Sequence, residues 1–330
     1  MTAPAGPAGP VTAPGGPAGP VTAPGGPAGP VTAPGGLARP VLRLRVAGYA
    51  FFLPFFVVFL VAVVAPLAYA IYLSFFQERM IGGTVFAGVA NYTRAIGDAL
   101  FGAGLLRVAL FLVVQVPVML LIALGCALAI DSGRLRWPSL FRITIFMPYA
   151  VPAVVSALMW GYMYGDQFGL VGQIGKALDV AVPDLLSRSW MLSSIGNMVT
   201  WEFVGYNMII LYAALRSVPT ELYEAAEMDG AGAIRIAWSI KLPALRPALL
   251  VATIFSIIGS FQLFNEPNIL QKLSPAVIGT SYTPNMYAYN LAFNGQQINY
   301  SATVAVLLGV VTIVVAYAVQ IITARREKTL

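Results

Sequence analysis

Ser217-Val-Pro-Thr-Glu-Leu-Tyr-Glu-Ala-Ala-Glu-Met-Asp-Gly-Ala-Gly232, followed closely by Lys241-Leu-Pro-Ala-Leu-Arg-Pro247, is a polar and charged stretch set between two strongly apolar ones. A chain that needed only lipid contact would have no use for it. Pro219 suits the first turn of a helix, where its missing N–H costs nothing, and Ser217 can cap the free amides. A short helix is expected from Glu221 to Asp229. Ala225 and Ala226 leave a low surface that another protein can approach closely, and Glu224, Glu227 and Asp229 charge its flanks. Gly230 permits a sharp turn that a Cβ would resist. A second amphipathic piece, Ala233 to Ile240, carries Ile234, Ile236, Trp238 and Ile240, and Pro243 and Pro247 are expected to end it. On composition alone two readings stand: a pair of short helices held at a membrane surface for a partner, or an interfacial loop that merely joins its neighbours.

The flanking sequence is membrane-like. Of the 330 residues 58% are hydrophobic and only 10% charged, with a mean hydropathy of +0.80. Soluble domains carry about 25% charged residues, so the balance belongs to a polytopic membrane protein. A span needs about 20 mostly apolar residues to cross about 30 Å of hydrocarbon. Six stretches qualify: Val46 to Phe76, Val108 to Ile130, Ile143 to Gly165, Met191 to Leu215, Ala248 to Asn265 and Tyr300 to Ala324. The expected fold is therefore all-α, with six transmembrane helices.

Six spans put both ends on one side, and the basic residues say which. With the ends inside, the inner segments hold Arg39, Arg43, Arg45, Arg134, Arg136, Arg142, Arg216, Arg235, Lys241, Arg246, Arg325, Arg326 and Lys328, which are 13 of the 19 Lys and Arg. The ends and the charged cassette thus face the cytoplasm, while residues 77–107, 166–190 and 266–299 face outward. A short surface helix is expected between Phe168 and Leu186. Tyr282, Tyr287, Tyr289 and Phe293 form an aromatic set that either anchors the chain at headgroup level or meets a substrate or partner.

Residues 1–36 repeat Val-Thr-Ala-Pro-Gly-Gly-Pro-Ala-Gly-Pro, restarting at Val11, Val21 and Val31. Such a sequence cannot build a core, so residues 1–40 are expected to be a disordered cytoplasmic tail ahead of a six-span transmembrane domain over residues 41–330. Its glycines break the collagen period, and it lacks the basic start and apolar core of a signal peptide. The basic residues lie singly between apolar runs, which argues for membrane topology and not for nucleic acid. Cys126 is alone, so no intrachain disulfide forms, and the absence of histidine removes the commonest general base and metal ligand.

Glu224-Ala-Ala-Glu-Met-Asp-Gly230 followed by Ile240-Lys-Leu-Pro-Ala-Leu-Arg-Pro247 is similar, in order and spacing, to the EAA loop of ABC importer inner-membrane permeases of type I. The runs Tyr206-Asn-Met-Ile-Ile-Leu-Tyr, Phe261-Gln-Leu-Phe-Asn-Glu-Pro267 and Thr283-Pro-Asn-Met-Tyr-Ala-Tyr-Asn-Leu-Ala-Phe293 resemble carbohydrate permeases of the maltose and glycerol-phosphate kind. The likeness covers roughly residues 45 to 325. Many relatives have a Thr-Gly-Gly-Pro run after the fifth span, and this chain departs from them with Gln271-Lys-Leu-Ser-Pro275.

The resemblance implies a coupling loop at about residues 216–247, in which Glu224, Ala225, Ala226, Asp229 and Gly230 dock into an ATP-binding subunit and Pro243 sets the exit into span five. It implies two such ATPase subunits, a second homologous permease, an extracytoplasmic solute-binding protein and a carbohydrate substrate, a di- or oligosaccharide. ATP and magnesium would belong to the partners, since no phosphate-cradling Gly-x-x-x-x-Gly-Lys-Ser/Thr loop occurs here. The chain is expected to be a pathway in the cytoplasmic membrane, not an enzyme. An importer of another small polar solute, such as glycerol-phosphate, peptide or polyamine, is the alternative.

A sugar site needs amides, carboxylates and aromatic faces. Glu202 is expensive inside a bilayer and should face a cavity or the bundle interior, near Tyr206 and Asn207. Asn265 and Glu266 at the outer end of span five, with Phe261, complete the candidate contacts. Each has a plain alternative: Glu202 pairing with a polar group on another helix, and Phe261 and Phe264 simply packing. Gln115 with Pro117 reads as a helix-packing device.

Overall fold

The computed structural model describes residues 49, 51–79, 81–165 and 169–328. The expected tail of residues 1–40 lies outside them. The chain divides into a unit ending at Phe59 and a unit from Leu60 onward. In the first, Phe52 stacks on Phe56 and Phe55 on Phe59, a one-turn aromatic ladder on a helix.

The second unit is helical apart from one small hairpin. A π-turn at Leu60–Val64 leads into α1 (Ala65–Ser74), and the antiparallel strands β1 (Phe76–Arg79) and β2 (Gly83–Phe86) follow. Then come α2 (Ala90–Ile96), α3 (Ala99–Asp131), α4 (Pro138–Phe146), a 3-10 turn at Met147–Ala150, α5 (Ala153–Met163) and α6 (Leu170–Ala177). The rest comprises α7 (Met191–Arg216), α8 (Thr220–Met228), α9 (Ala233–Ile236), a π-turn at Ala237–Lys241, α10 (Leu242–Phe261), α11 (Asn265–Leu273), α12 (Pro284–Phe293) and α13 (Ile298–Lys328). Among the described residues five helices are long and apolar enough to cross a membrane, or six when the bent pair α4 to α5 counts as one span. The polytopic helical architecture matches the expectation.

Three expectations need correction. Span three is not continuous: its two halves meet at 97°. Pro152 has no N–H to donate and forces Val151 into extended backbone (φ −77°, ψ 128°), so the helix cannot run through. Pro243 and Pro247 do not end the segment before span five. Helical backbone continues from Ala233 to Phe261, with Pro243 in the first turn of α10 and a π-turn absorbing the misfit in the ladder. Span two begins earlier, at Ala99, so Arg107 lies on the helix and not in a loop. Its guanidinium sits 4.2 Å from the Tyr282 ring centroid and donates to the Tyr282 carbonyl.

The interior is made by α3 against α7. Ala123, Ala127 and Ile130 meet Met208, Leu211, Leu215 and Leu245 in one buried cluster. The alanines allow the backbones to approach, as small residues do between membrane helices. Gly205 serves the same end more strictly: a Cβ there would stand 2.1 Å from the Ile145 carbonyl oxygen, so only glycine lets α7 pass the end of α4.

The outer segments are structured. A surface helix does form, at Leu170–Ala177. The expected aromatic set divides: Tyr282 and Tyr287 are buried, while Tyr289 and Phe293 are exposed and pack on each other at 4.7 Å. Tyr287 donates to the Asp98 carboxylate at 2.6 Å, as does Tyr300, and the N–H groups of Leu100 and Phe101 cap onto it. Burial alone would raise the Asp98 pKa, yet these four hydrogen bonds outweigh it and hold the carboxyl below its ordinary value. Burial and the Asp98 carboxylate in turn push the Tyr287 hydroxyl up to about 12.

Candidate functional site

Two places in the fold carry the polar residues that a membrane bundle does not need. The first is the cassette after α7. α8 starts directly behind Pro219, which is itself the cap residue and supplies no side-chain hydrogen bond. Ser217 does not cap α8 as expected: its hydroxyl donates to the Ala214 carbonyl at 2.7 Å and closes α7 instead. The far end is a left-handed cap. Gly230 has φ +78°, its N–H donates to Glu227 O, and Ala231 N–H donates to Ala226 O, both at 2.9 Å. That pairing is a Schellman motif, and its positive φ is the conformation L residues resist.

Glu224, Ala225, Asp229 and Gly230 are exposed and Ala226 half-buried, so the cassette presents a short helix end with a stiff turn. Met228, Ile234 and Trp238 also stand out of the fold, 89%, 78% and 69% exposed. The helix is tied down from beneath. Lys241 pairs with Asp131 at 2.5 Å and lies 5.0 Å from the Tyr223 ring centroid, joining α8, the end of α3 and the start of α10. Burial, then the Asp131 charge, raises the pKa of the Tyr223 hydroxyl. Pro243 begins α10 within this junction, two residues beyond Lys241.

The second place is a cavity of about 390 Å³. It exists because α10 stops at Phe261 and the chain resumes as α11 at Asn265, with Phe264 in between at φ −145°, ψ −50°. Non-helical backbone at membrane depth is tolerated where it lines a cavity and its polar groups are met. Here they are: Asn285 Nδ2 donates to Phe261 O and Thr283 Oγ1 to Leu263 O, each at 3.0 Å.

Five of the six residues singled out in the sequence meet there. Glu202, Tyr206 and Asn207 come from α7, and Asn265 and Glu266 from the start of α11. Glu202, Asn207 and Glu266 are buried, Tyr206 is half-buried and Asn265 exposed. Phe261 is the exception: it is buried against Val108, Ile257 and Leu308, so it packs and does not line the space. Gln115 reaches the wall but donates to Thr200 Oγ1 at 3.3 Å, the helix-bridging role expected of it.

The reading from sequence missed Tyr149. Its ring stacks on Tyr206 with centroids 5.0 Å apart and 18° between planes, and it meets Phe203 edge-on at 5.8 Å. The signal was obscured because Tyr149 lies in the bend between Pro148 and Pro152, where a straight span was expected. Two polar atoms on the cavity wall, Glu202 Oε2 and Asn207 Oδ1, are buried without a hydrogen-bond partner. Asn207 has spent its amide donor on Phe203 O at 3.0 Å. Unpaired acceptors beside an aromatic shelf suit a ligand that brings hydroxyls and an apolar face. No group of His, Cys, Asp and Glu able to hold a metal occurs among the described residues.

Residues 119–328 match the family described as binding-protein-dependent transport system inner membrane component. The chain is 30% identical over 290 residues to the lactose transport system permease protein LacF of Rhizobium radiobacter, covering 86% of this chain and 95% of that one. It is 31% identical over 274 residues to the diacetylchitobiose uptake system permease protein NgcF of Streptomyces coelicolor, covering 78% and 77%. A crystal structure of a bacterial ABC transporter involved in the import of the acidic polysaccharide alginate shares the fold, with a TM-score of 0.75 at 18% identity over 87% of this chain and 98% of that chain.

Proposed function

This chain belongs to the binding-protein-dependent transport system inner membrane components, and from that premise we propose that it moves a disaccharide or oligosaccharide across the cytoplasmic membrane. It is a multi-pass permease subunit of an ABC importer for a polar, carbohydrate-type solute, and not an enzyme. The finer reading rests on the cavity. Buried acceptors with no partner of their own stand beside the stacked rings of Tyr149 and Tyr206, which is what a sugar's hydroxyls and ring face require. The permeases named for lactose and diacetylchitobiose support a disaccharide-sized solute.

The mechanism follows from the two places together. Two ATP-binding subunits, which hold ATP and magnesium, grip α8 at Glu224, Ala225, Ala226 and Asp229. The turn at Gly230 makes the grip rigid, and Pro243 starts span five close behind it, so closure of the ATPases is passed on as rigid-body movement. Lys241 and Asp131 carry that movement into α3 and α10. A second permease completes the pathway, a solute-binding protein delivers the sugar from outside, and both termini and the cassette face the cytoplasm. Affinity purification of this chain from its native membrane in mild detergent, with mass spectrometry of what is retained, tests the assembly. A different permease and an ATP-binding subunit are expected. Recovery of this chain alone under crosslinking contradicts the proposal.

A further inference from the structure

We infer that the cavity selects by charge: it accepts neutral or amino-bearing carbohydrates and rejects uronic, sulfonated and phosphorylated ones. This rests on the carbohydrate reading above and narrows its substrate class. The polar side chains of the cavity wall include two carboxyl groups, Glu202 and Glu266, with Asn207, Ser260, Gln262 and Asn265, and no lysine or arginine among the described residues lines it. The two acids come from different elements, are 5% and 6% exposed, and line the same cavity.

An anion brought into such a space loses water and must be repaid by a cation or by several donors. The amides and hydroxyls of this wall are set against two buried carboxyl groups, and no cation joins them. Arg107 is committed to the ring and carbonyl of Tyr282, and Lys241 to Asp131. The partial positive charge at the start of α11 is already met by Glu266 in its first turn. Protonation does not change the outcome. Ionised carboxylates repel an anion, and neutral ones give it no counter-charge.

A neutral sugar needs neither, because its hydroxyls can donate to Glu202 Oε2 and Asn207 Oδ1, the two acceptors without partners. An ammonium group on the sugar gains more, since it supplies the cation that Glu202 lacks.

The test uses the native importer complex, purified through this chain, placed in nanodiscs and freed of solute-binding protein. Binding is measured by equilibrium dialysis for disaccharides of gluco, galacto and manno configuration, each as the neutral, the amino and the uronic acid form. The inference expects the best neutral or amino form to bind at least tenfold tighter than its uronic acid counterpart. It further expects the combined substitution Glu202→Gln and Glu266→Gln to narrow that ratio. The unmodified complex alone is decisive should the variant fail to assemble. Equal or tighter binding of the uronic acids overturns the charge inference and leaves the carbohydrate reading standing. Binding of spermidine with no sugar retained overturns the carbohydrate reading itself.

Discussion

Replacing Lys241 with methionine removes one partner of a pair that joins parts of the chain far apart in sequence. Its ammonium lies 2.5 Å from Asp131 Oδ2, and the two side chains are only 14% and 8% exposed. Asp131 is the last residue of α3, where the helix dipole is itself negative, so an unpaired carboxylate there faces both burial and repulsion. Breaking a buried pair from one side costs about 3–5 kcal/mol, whereas replacing both partners by apolar groups of similar size is often close to neutral. We therefore expect Lys241→Met, and separately Asp131→Leu, to destabilise the protein by about 3 kcal/mol. The double variant should recover most of that loss, giving a coupling energy of about 2 kcal/mol or more in the cycle. The assay is reversible unfolding of the purified chain in mixed micelles by increasing sodium dodecyl sulfate, followed by tryptophan fluorescence. Because Lys241 also lies against Tyr223 of α8, ATP hydrolysis by the assembled complex should lose its response to solute in Lys241→Met. Additive single effects, with no recovery in the double variant, would refute the claim that this pair ties the cassette to the bundle.

Three further outcomes are expected. Gly230→Val should abolish uptake while leaving membrane insertion normal, because nothing stands within 4 Å of a Cβ there and the cost, about 1–3 kcal/mol, falls on the φ of +78° in the turn alone; uptake assays on membranes of matched protein content check it. Gly205→Ala should lower thermal stability sharply, because its Cβ meets the Ile145 carbonyl oxygen at 2.1 Å, and an unchanged melting temperature would show that α4 and α7 do not approach this closely. The Asp98 carboxyl is held below its ordinary value by tyrosine and backbone donors that outweigh its burial, so its contribution is complete above the unfolded pKa of about 4 and fades as pH falls through the lower folded value. Asp98→Asn should flatten that acid-side loss in stability measured from pH 5 downward, and an unaltered profile would contradict the assignment.

Much of this architecture is legible in the residues themselves. Apolar runs of span length leave few alternatives, and among the described residues they correspond to five long apolar helices and one bent pair. The short helix of the cassette and its glycine turn are equally local, since Gly230 and the hydrogen bonds around it lie within a few residues. The errors have a common cause. Proline effects depend on what the neighbouring backbone does: Pro152 breaks span three, while Pro243 and Pro247 are accommodated in a helix whose ladder is already shifted by a π-turn. Side-chain roles that depend on rotation about a helix were harder still. Glu202 and Asn207 announced themselves by the cost of a polar group in a bilayer, but an aromatic such as Phe261 or Tyr149 is equally at home in a core or on a cavity wall. Only the packing separates them, with Phe261 in an apolar cluster and Tyr149 stacked on Tyr206.

The most direct test of the central claim is ATP-driven uptake by the native complex, isolated through this chain and reconstituted in proteoliposomes with its solute-binding protein and a labelled mixture of neutral oligosaccharides. The account predicts accumulation of a sugar inside the vesicles that requires ATP and disappears when Gly230 is replaced by valine. Accumulation that proceeds without ATP, or that the Gly230→Val complex sustains at the normal rate, would contradict it.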